Sequence, residues 1–285
     1  MAKPIVILGG KGMLGSDLTS LCSQKGLNYR QLDLPEFDIT NERQLKDALK
    51  DSEVVINCAS YTDVEKAESL PQKAFAVNAD AVGRLGRIAK NNSIWVCHIS
   101  TDFVFDGNKK EPYTEEDKPN PINTYGKSKL AGEKLLVESG CQYCIIRIEW
   151  TYGLNGSNFI VKLIDAAKRK NELKVVDDQK GSPTSTEEAA KVICRLMEKK
   201  PAGIYHFASA GYVTRYEMAK FIFEKLGMQV SVSPCKTSDF ASAANRPLNS
   251  TFDCSKIGPL LAEPIENWQK PLMRFLVKLT EKGMI

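Results

Sequence analysis

An apolar strand pattern that runs directly into a glycine-rich turn opens the chain. Residues 4–15 read PIVILGGKGMLG, which places Gly9, Gly12 and Gly15 at three-residue spacing just before a helical pattern. Such glycines permit a tight turn, a close approach of the backbone to a pyrophosphate, and close packing of helix on strand. The helix N-terminus then faces the negative charge. The loop therefore predicts dinucleotide binding, with a plain structural turn as the alternative. We predict that the same loop also contacts the cofactor through Lys11, Met13 and Leu14.

An acidic residue near the end of the second strand pattern would hold the adenosine ribose of such a cofactor. Asp33 ends RQLDL, 21 residues after Gly12. Its carboxylate favours the free ribose hydroxyls of NADH and repels the extra phosphate of NADPH. Lys11 and Arg30 could offset that phosphate, so the choice between NADH and NADPH stays open at this point.

Asp38 and Ile39 follow as an acidic and apolar pair at the next loop. They form a plausible edge for the adenine ring. The alternative is a local role, in which Asp38 forms a helix cap with Thr40 or Asn41.

Short apolar strand patterns alternate with amphipathic helical patterns through the first half of the chain. Near-continuous apolar strands separated by helices predict a doubly wound parallel sheet with both faces covered, the Rossmann type of α/β fold. After Arg147 the texture changes to short strands, helices and Gly/Pro/Ser/Asn-rich loops. We therefore predict a dinucleotide-binding domain over 1–152 and a smaller C-terminal α/β substrate lobe over 153–285. The chain is expected to return to the first domain at about 172–205.

The composition limits the classes of partner that the chain is expected to bind. The 285 residues include 42% hydrophobic residues, enough for a buried core, and 39 basic against 35 acidic residues give a net charge of only +4. This balance predicts neither a nucleic acid nor a membrane partner. The apolar run near the N-terminus is too short for a signal peptide core or a membrane span, so we expect a cytoplasmic protein. The eight cysteines lack disulfide-scaffold spacing and are expected to be reduced.

Hydroxyl side chains end the fourth strand pattern, and a tyrosine and a lysine follow on a helix. Ser100 and Thr101 stand where the reactive ring of the cofactor would lie, with helix capping as the alternative. Tyr125 and Lys129 are four residues apart, so they share one helix face.

This pair would suit a reduction that needs a proton donor. A phenol is a weak acid at neutral pH, but an ammonium about 5 Å away would stabilise the phenolate by roughly 3 kcal/mol, or about 2 pK units. We therefore expect Lys129 to lower the pKa of Tyr125. Lys129 could also donate to the nicotinamide ribose, and Thr101 could donate to the substrate carbonyl.

Eight segments in order, spanning nearly the whole chain, resemble the extended short-chain dehydrogenase/reductase family. They are GGKGMLG, VINCASYTDVEKAE, AVNADA, STDFVFDG, PINTYGKSKLAGE, DDQKGSPT, GIYHFA and RPLNS. Within the family, the segments are similar to reductases that act on the 4-keto group of a nucleotide-linked deoxysugar. The resemblance implies that Thr101, Tyr125 and Lys129 are catalytic. The implied cofactor residues are Gly9, Gly12, Gly15, Asp38, Ile39, Ala59, Ser60 and Tyr61.

The resemblance also implies that Val64, Phe103 and Trp150 contact the sugar. Two positions depart from the usual pattern, because Phe103 replaces a tyrosine and Glu149 replaces a small hydroxyl residue. Tyr125 and Thr101 would contact the substrate as well, and Arg246 is expected to bind its phosphates, with a structural loop arginine as the alternative.

Some members of the family bind a divalent metal at a dimer contact through glutamates. Glu187 and Glu188 fall in that region, but a solvated helix face is the preferred interpretation, so no metal site is predicted. A homodimer is possible.

Two other functions share these residues. A nucleotide-sugar epimerase uses the same triad, although such chains are usually longer. A non-catalytic module similar to the NADP-binding regulatory beta subunit of methionine adenosyltransferase would use the same fold to serve a partner enzyme. An NAD(P)H-dependent reductase is the favoured interpretation.

Overall fold

A computed structural model describes residues 3–285; the first two residues, where the predicted dinucleotide-binding domain begins, lie outside it. Six parallel strands form the central sheet, in the order β2-β1-β3-β4-β5-β10. They are β1 (Ile5–Leu8), β2 (Tyr29–Leu32), β3 (Val54–Asn57), β4 (Trp95–Thr101), β5 (Gln142–Ile148) and β10 (Gly203–Phe207). The predicted doubly wound parallel sheet is confirmed.

Helices cover both faces of this sheet, as its apolar strands require. One face carries α1 (Met13–Gln24) and α8 (Thr186–Lys199), which bury Leu18, Cys22 and Ile193 against the strands. The other face carries α2 (Glu42–Leu49), α5 (Ala81–Asn91) and α6 (Thr124–Glu138).

The segment over 71–91 is not one regular helix. It consists of α4 (Pro71–Phe75), a π-helical turn (Ala76–Asp80) and α5, and the short helix α3 (Val64–Ser69) precedes it. Each of these pieces packs against α6 or its neighbours. The π-turn inserts a wider backbone ring that a 3.6-residue periodicity does not reveal.

The C-terminal half builds a third apolar cluster beside the sheet, around Tyr152, Met218, Trp268 and Phe275. Its helices are α7 (Phe159–Ala167), α9 (Arg215–Lys225) and α10 (Gln269–Glu281). Its short strands are β6 (Thr151–Tyr152), β7 (Glu172–Val176), β8 (Lys180–Gly181), β9 (Thr184–Ser185), β11 (Val213–Thr214) and β12 (Ser231–Cys235).

The chain alternates between these two bodies. β7 pairs with β12 in the C-terminal half, whereas β10 pairs with β5 and completes the central sheet. All eight cysteines are free, and six of them are buried. Among residues 3–285, no helix is long and apolar enough to cross a membrane.

Candidate active site

The glycine turn after β1 faces the segment that follows β3. Strand order reverses between β1 and β3, and open α/β sheets bind ligands at such a switch point. Gly9 has a φ of +73°, and a Cβ there would lie only 2.5 Å from the Ala59 nitrogen. Gly12 is the N-cap of α1 and offers no side chain to the amides of the first turn. This backbone cradle fits the pyrophosphate of a dinucleotide.

Asn78 in the π-turn holds the predicted cofactor residues Ser60 and Tyr61. Its Oδ1 accepts hydrogen bonds from Ser60 Oγ (2.9 Å) and the Tyr61 N–H (2.8 Å). Its Nδ2 donates to the Tyr61 carbonyl oxygen (3.1 Å) and to Ser128 Oγ (3.0 Å). Asn78 is fully buried, so it fixes the 59–61 segment against α6. We did not predict this role of Asn78 from the sequence, where the AVNADA segment is its only signal.

Asp33 lies at the carboxyl end of β2, as predicted, and its carboxylate accepts the N–H groups of Lys11 and Leu34, both at 2.8 Å. The Lys11 ammonium pairs with Glu36 at 2.6 Å. Arg30 lines the same cavity and donates to the carbonyl oxygens of Ala48 and Lys50. Two carboxylates and two cations therefore border the expected ribose position, and both cations already have partners.

Asp38 is engaged in local hydrogen bonds. Its Oδ1 accepts from the Thr40 N–H and Oγ1, both at 2.8 Å, while Asn41 caps α2. Ile39 is buried in the apolar cluster under that helix. The local role thus occurs in the structure, and contact of Asp38 and Ile39 with adenine stays a prediction.

Thr101 and Tyr125 meet at the carboxyl end of β4. Asn123 caps α6 by accepting the Gly126 N–H (2.8 Å), so the helix starts at Thr124, one residue before Tyr125. Phe103 packs edge-on against the Tyr125 ring, with ring centroids 5.6 Å apart. Gly126 allows this approach, because a Cβ there would collide with the Phe103 carbonyl oxygen.

The prediction that Lys129 lowers the pKa of Tyr125 is wrong for the groups that the protein itself supplies. Burial raises the pKa of Tyr125 to about 12, and the negative charge of Asp102 adds to this, although hydrogen bonds with Thr101 and Ser60 act in the opposite direction. Desolvation of the phenolate is the largest influence on this pKa, and Lys129 is not among the groups that lower it. The lysine ammonium donates to the Ile99 carbonyl oxygen at 2.6 Å.

Lys129 is 2% exposed, and burial lowers its pKa to about 8. One helical turn further on, Glu133 partly offsets this effect, since its carboxylate favours the ammonium. Glu133 is itself held by Arg147 through two hydrogen bonds of 2.9 and 2.6 Å, and by Ser100 Oγ at 2.5 Å. This buried network fixes the carboxylate that favours the Lys129 ammonium, and we did not predict it from the sequence.

Trp150 follows β5 and lines the C-terminal side of the same region. It adopts a left-handed backbone conformation with a φ of +45°. The Arg215 guanidinium stacks 3.5 Å from the centre of its ring. Packing against aromatic rings removes water, and this burial lowers the pKa of Arg215 to about 9. Nothing in the local sequence GYVTRYEM had indicated this arginine.

Arg246 lies across from α3. Its guanidinium donates at 2.6 Å to Glu65, the residue that follows the substrate position predicted at Val64. The Glu65 carboxylate also accepts from Ser242 Oγ (2.7 Å) and the Ala243 N–H (2.9 Å). Glu65 therefore ties the 242–246 loop to α3, and phosphate binding by Arg246 stays a prediction.

Comparison with known proteins decides the family. A family model described as the RmlD substrate binding domain matches residues 2–281. The chain is 36% identical to a dTDP-4-dehydrorhamnose reductase of Aggregatibacter actinomycetemcomitans, over 94% of this chain and 96% of that one. It is 32% identical to the enzyme of that name from Escherichia coli, over 96% and 97%.

The chain belongs to the dTDP-4-dehydrorhamnose reductase family. A crystal structure of a dTDP-4-dehydrorhamnose reductase from Clostridium acetobutylicum superposes with a TM-score of 0.93 at 36% identity, covering 97% of this chain and 99% of the other. The Bacillus anthracis enzyme in complex with NADP also gives 0.93, at 33% identity, covering 98% and 100%. The predicted resemblance is thereby confirmed.

The glutamates considered for a metal in this dTDP-4-dehydrorhamnose reductase family member are paired with cations. Glu187 pairs with Lys278, and Glu188 pairs with Lys191 and Arg274 at 2.8 and 3.0 Å. Over residues 3–285, no cluster of three or more His, Cys, Asp or Glu side chains is arranged to hold a metal ion.

Proposed function

We propose that this chain is an NAD(P)H-dependent oxidoreductase that reduces the 4-keto group of dTDP-4-dehydro-L-rhamnose to give dTDP-L-rhamnose. The observation that carries the proposal is the position of Thr101, Tyr125 and Lys129. Thr101 ends β4, and Tyr125 of α6 hydrogen-bonds with Thr101 and with Ser60 of the segment that faces the glycine turn. Lys129 of α6 donates to the Ile99 carbonyl oxygen of β4. The printed names of the relatives supply the substrate.

A bound nicotinamide cofactor would supply the hydride. Tyr125 then donates its phenolic proton to the carbonyl oxygen. The Thr101 hydroxyl, which donates to Asp102 Oδ1, would rotate to donate to the same carbonyl oxygen. The Lys129 ammonium is proposed to donate to the nicotinamide ribose. Because burial raises the pKa of Tyr125 to about 12, the tyrosine keeps its proton until a neighbouring charge develops.

Val64, Phe103 and Trp150 are proposed to contact the sugar, and Arg246 its phosphates. Arg246 is paired with Glu65, so phosphate binding requires that this ion pair be exchanged. Asp33 and Glu36 border the ribose position and favour NADH, whereas the NADP complex of the Bacillus anthracis relative keeps NADPH open for this chain. We also propose that the enzyme acts in the cytoplasm as a homodimer.

Turnover tests the proposal directly. We expect stoichiometric loss of nicotinamide absorbance when dTDP-4-dehydro-L-rhamnose is added with NADH or NADPH in parallel assays. Tyr125→Phe should lower kcat by about 100-fold or more, because the proton donor is lost. Tyr143→Phe is the matched control, since Tyr143 lies at the start of β5, away from the cleft.

Two outcomes would replace the proposal. Isomerisation of the nucleotide sugar without net oxidation of the cofactor would indicate an epimerase. Full physiological function of Tyr125→Phe in cells would indicate a non-catalytic regulatory subunit.

A further inference from the structure

Two buried carboxyl groups lie side by side beneath the reaction site. The register pairs Thr101 of β4 with Ile148 of β5, so the next residues, Asp102 and Glu149, leave the sheet next to each other. Asp102 is 3% exposed and Glu149 is fully buried. Asp102 has so far entered only through its charge, which raises the pKa of Tyr125, and Glu149 has no role in the chemistry described above.

Asp102 connects the reaction site to the C-terminal half. One of its oxygens, Oδ1, accepts a hydrogen bond from Thr101 Oγ1 at 3.0 Å. The other, Oδ2, accepts from Ser250 Oγ at 2.5 Å. The orientation of the Thr101 hydroxyl therefore depends on a carboxyl group that is also fixed to a distant segment.

Glu149 makes the parallel connection. Its Oε2 accepts the Ser182 N–H at 2.8 Å, and the Thr184 N–H donates to the carbonyl oxygen of the following residue, Trp150, at 3.2 Å. The loop packs directly on both residues, because a Cβ at Gly181 would lie 2.5 Å from the Trp150 ring and 2.6 Å from Glu149 Oε2. This contact holds Trp150 in its left-handed conformation, a strained one for a bulky residue.

The second oxygen of Glu149 makes no hydrogen bond of ordinary geometry within residues 3–285, although it is buried. The backbones of Ser182 and Phe252 favour the charged carboxylate, but burial and the charge of Asp102 oppose it. Two adjacent buried carboxylates are costly in such a place. Ionisable groups from several other elements interact electrostatically with Glu149 or Asp102. They are Arg215 at the start of α9, Tyr212 before β11, and Cys254 near the Ser250 segment. Of these, Arg215 is the cation.

We propose that Glu149 is a positioning residue whose uncharged carboxyl group joins the sheet to the 181–184 loop and so fixes Trp150 and the adjoining Asp102–Thr101 pair. Only the kinetic test of this proposal rests on the proposed reductase function. Burial and the charge of Asp102 raise the pKa of Glu149 well above its ordinary value, which agrees with an uncharged group.

A pair of variants separates geometry from charge. Glu149→Gln keeps the size and the acceptor oxygen and is always uncharged, whereas Glu149→Ala removes the contact. We expect Glu149→Gln to keep kcat and KM for the nucleotide sugar within about threefold, and Glu149→Ala to lower kcat/KM by at least about tenfold, because small displacements at an active site are costly. The KM for NADH should change little in both. Glu281→Gln, at the exposed end of α10, is the matched control.

Thermal unfolding tests the uncharged state without any assay of turnover. A carboxyl group whose pKa is raised in the folded state contributes stability below its unfolded pKa and loses it as pH rises through the folded value. The Tm of the wild type should therefore fall relative to that of Glu149→Gln between pH 5 and pH 8. For Glu281→Gln the difference should stay flat.

Two results would overturn the proposal. One is loss of activity in Glu149→Gln as large as in Glu149→Ala, which would mean that the negative charge is needed. The other is a Tm difference between wild type and Glu149→Gln that does not change with pH. The second result can be obtained even if the wild type does not reduce the proposed substrate or Glu149→Ala does not fold.

Discussion

At the scale of single residues, Tyr125 and Lys129 have pKa values displaced in opposite directions by the same cause. Burial favours the neutral form of each, so it raises the pKa of Tyr125 to about 12 and lowers that of Lys129 to about 8. The tyrosine therefore remains a proton donor over the physiological range. The lysine is the member of the pair whose charge changes near that range.

Activity should accordingly fall on the alkaline side of neutrality. Because Lys129 is charged below about pH 8 and neutral above it, kcat/KM should decline above that pH by about tenfold per pH unit. The pH profile of kcat/KM measures this for the free enzyme. Lys129→Met, which has no ammonium, should be about 100-fold less active and should lack this decline. A wild-type profile that stays level up to pH 10 would contradict the assignment.

At the scale of elements, the π-turn over Ala76–Asp80 places a single amide where three segments meet. Asn78 accepts hydrogen bonds from Ser60 and Tyr61 and donates to Tyr61 and Ser128. Gly132 of α6 lets the helix approach the Asn78 carbonyl oxygen. A regular helix would turn this side chain away from one of its partners. The irregular turn therefore positions the cofactor segment.

Asn78→Ala should destabilise the protein by about 2–4 kcal/mol, because it leaves buried polar groups of Ser60 and Tyr61 without partners. We expect Tm to fall by roughly 5–10 °C and the affinity for NADH to weaken. Asn91→Ala, at the exposed end of α5, should change Tm by less than about 2 °C. Calorimetry and a direct cofactor titration measure both effects, and equal Tm values for the two variants would refute the role given to Asn78.

At the scale of the whole molecule, the two halves are tied together across the cleft by acidic side chains. Glu65 on α3 holds the 242–246 loop, and Asp102 and Glu149 hold the Ser250 and Ser182 segments. These contacts set the width of the cleft that the nucleotide sugar is proposed to enter.

Glu65→Ala should loosen the loop without disturbing the sheet. We expect KM for the nucleotide sugar to rise by about tenfold and kcat to change little, since about 1.4 kcal/mol of binding free energy corresponds to tenfold. Limited proteolysis should also cut near Arg246 faster. The exposed Glu172→Ala serves as the control. An unchanged KM together with unchanged proteolysis would show that the loop is held by other contacts.

Local patterns predicted the parts of this molecule that depend on short-range order. The glycine spacing located the cradle at Gly9, and the four-residue spacing of Tyr125 and Lys129 located one face of α6. Alternating strand and helix patterns also predicted the sheet. The contacts made by Asn78, Glu65 and Glu149 join segments 17 to 181 residues apart, and no local periodicity encodes such pairs.

Because β10 lies late in the chain, the central sheet forms late during synthesis of the protein. Residues 203–207 complete the central sheet, and α8 covers one of its faces, only after the chain has built much of the C-terminal half. A nascent chain that ends at residue 152 would expose the unpaired edge of β5 and the apolar side of α1. The central sheet therefore cannot be completed on the ribosome before most of the polypeptide has emerged.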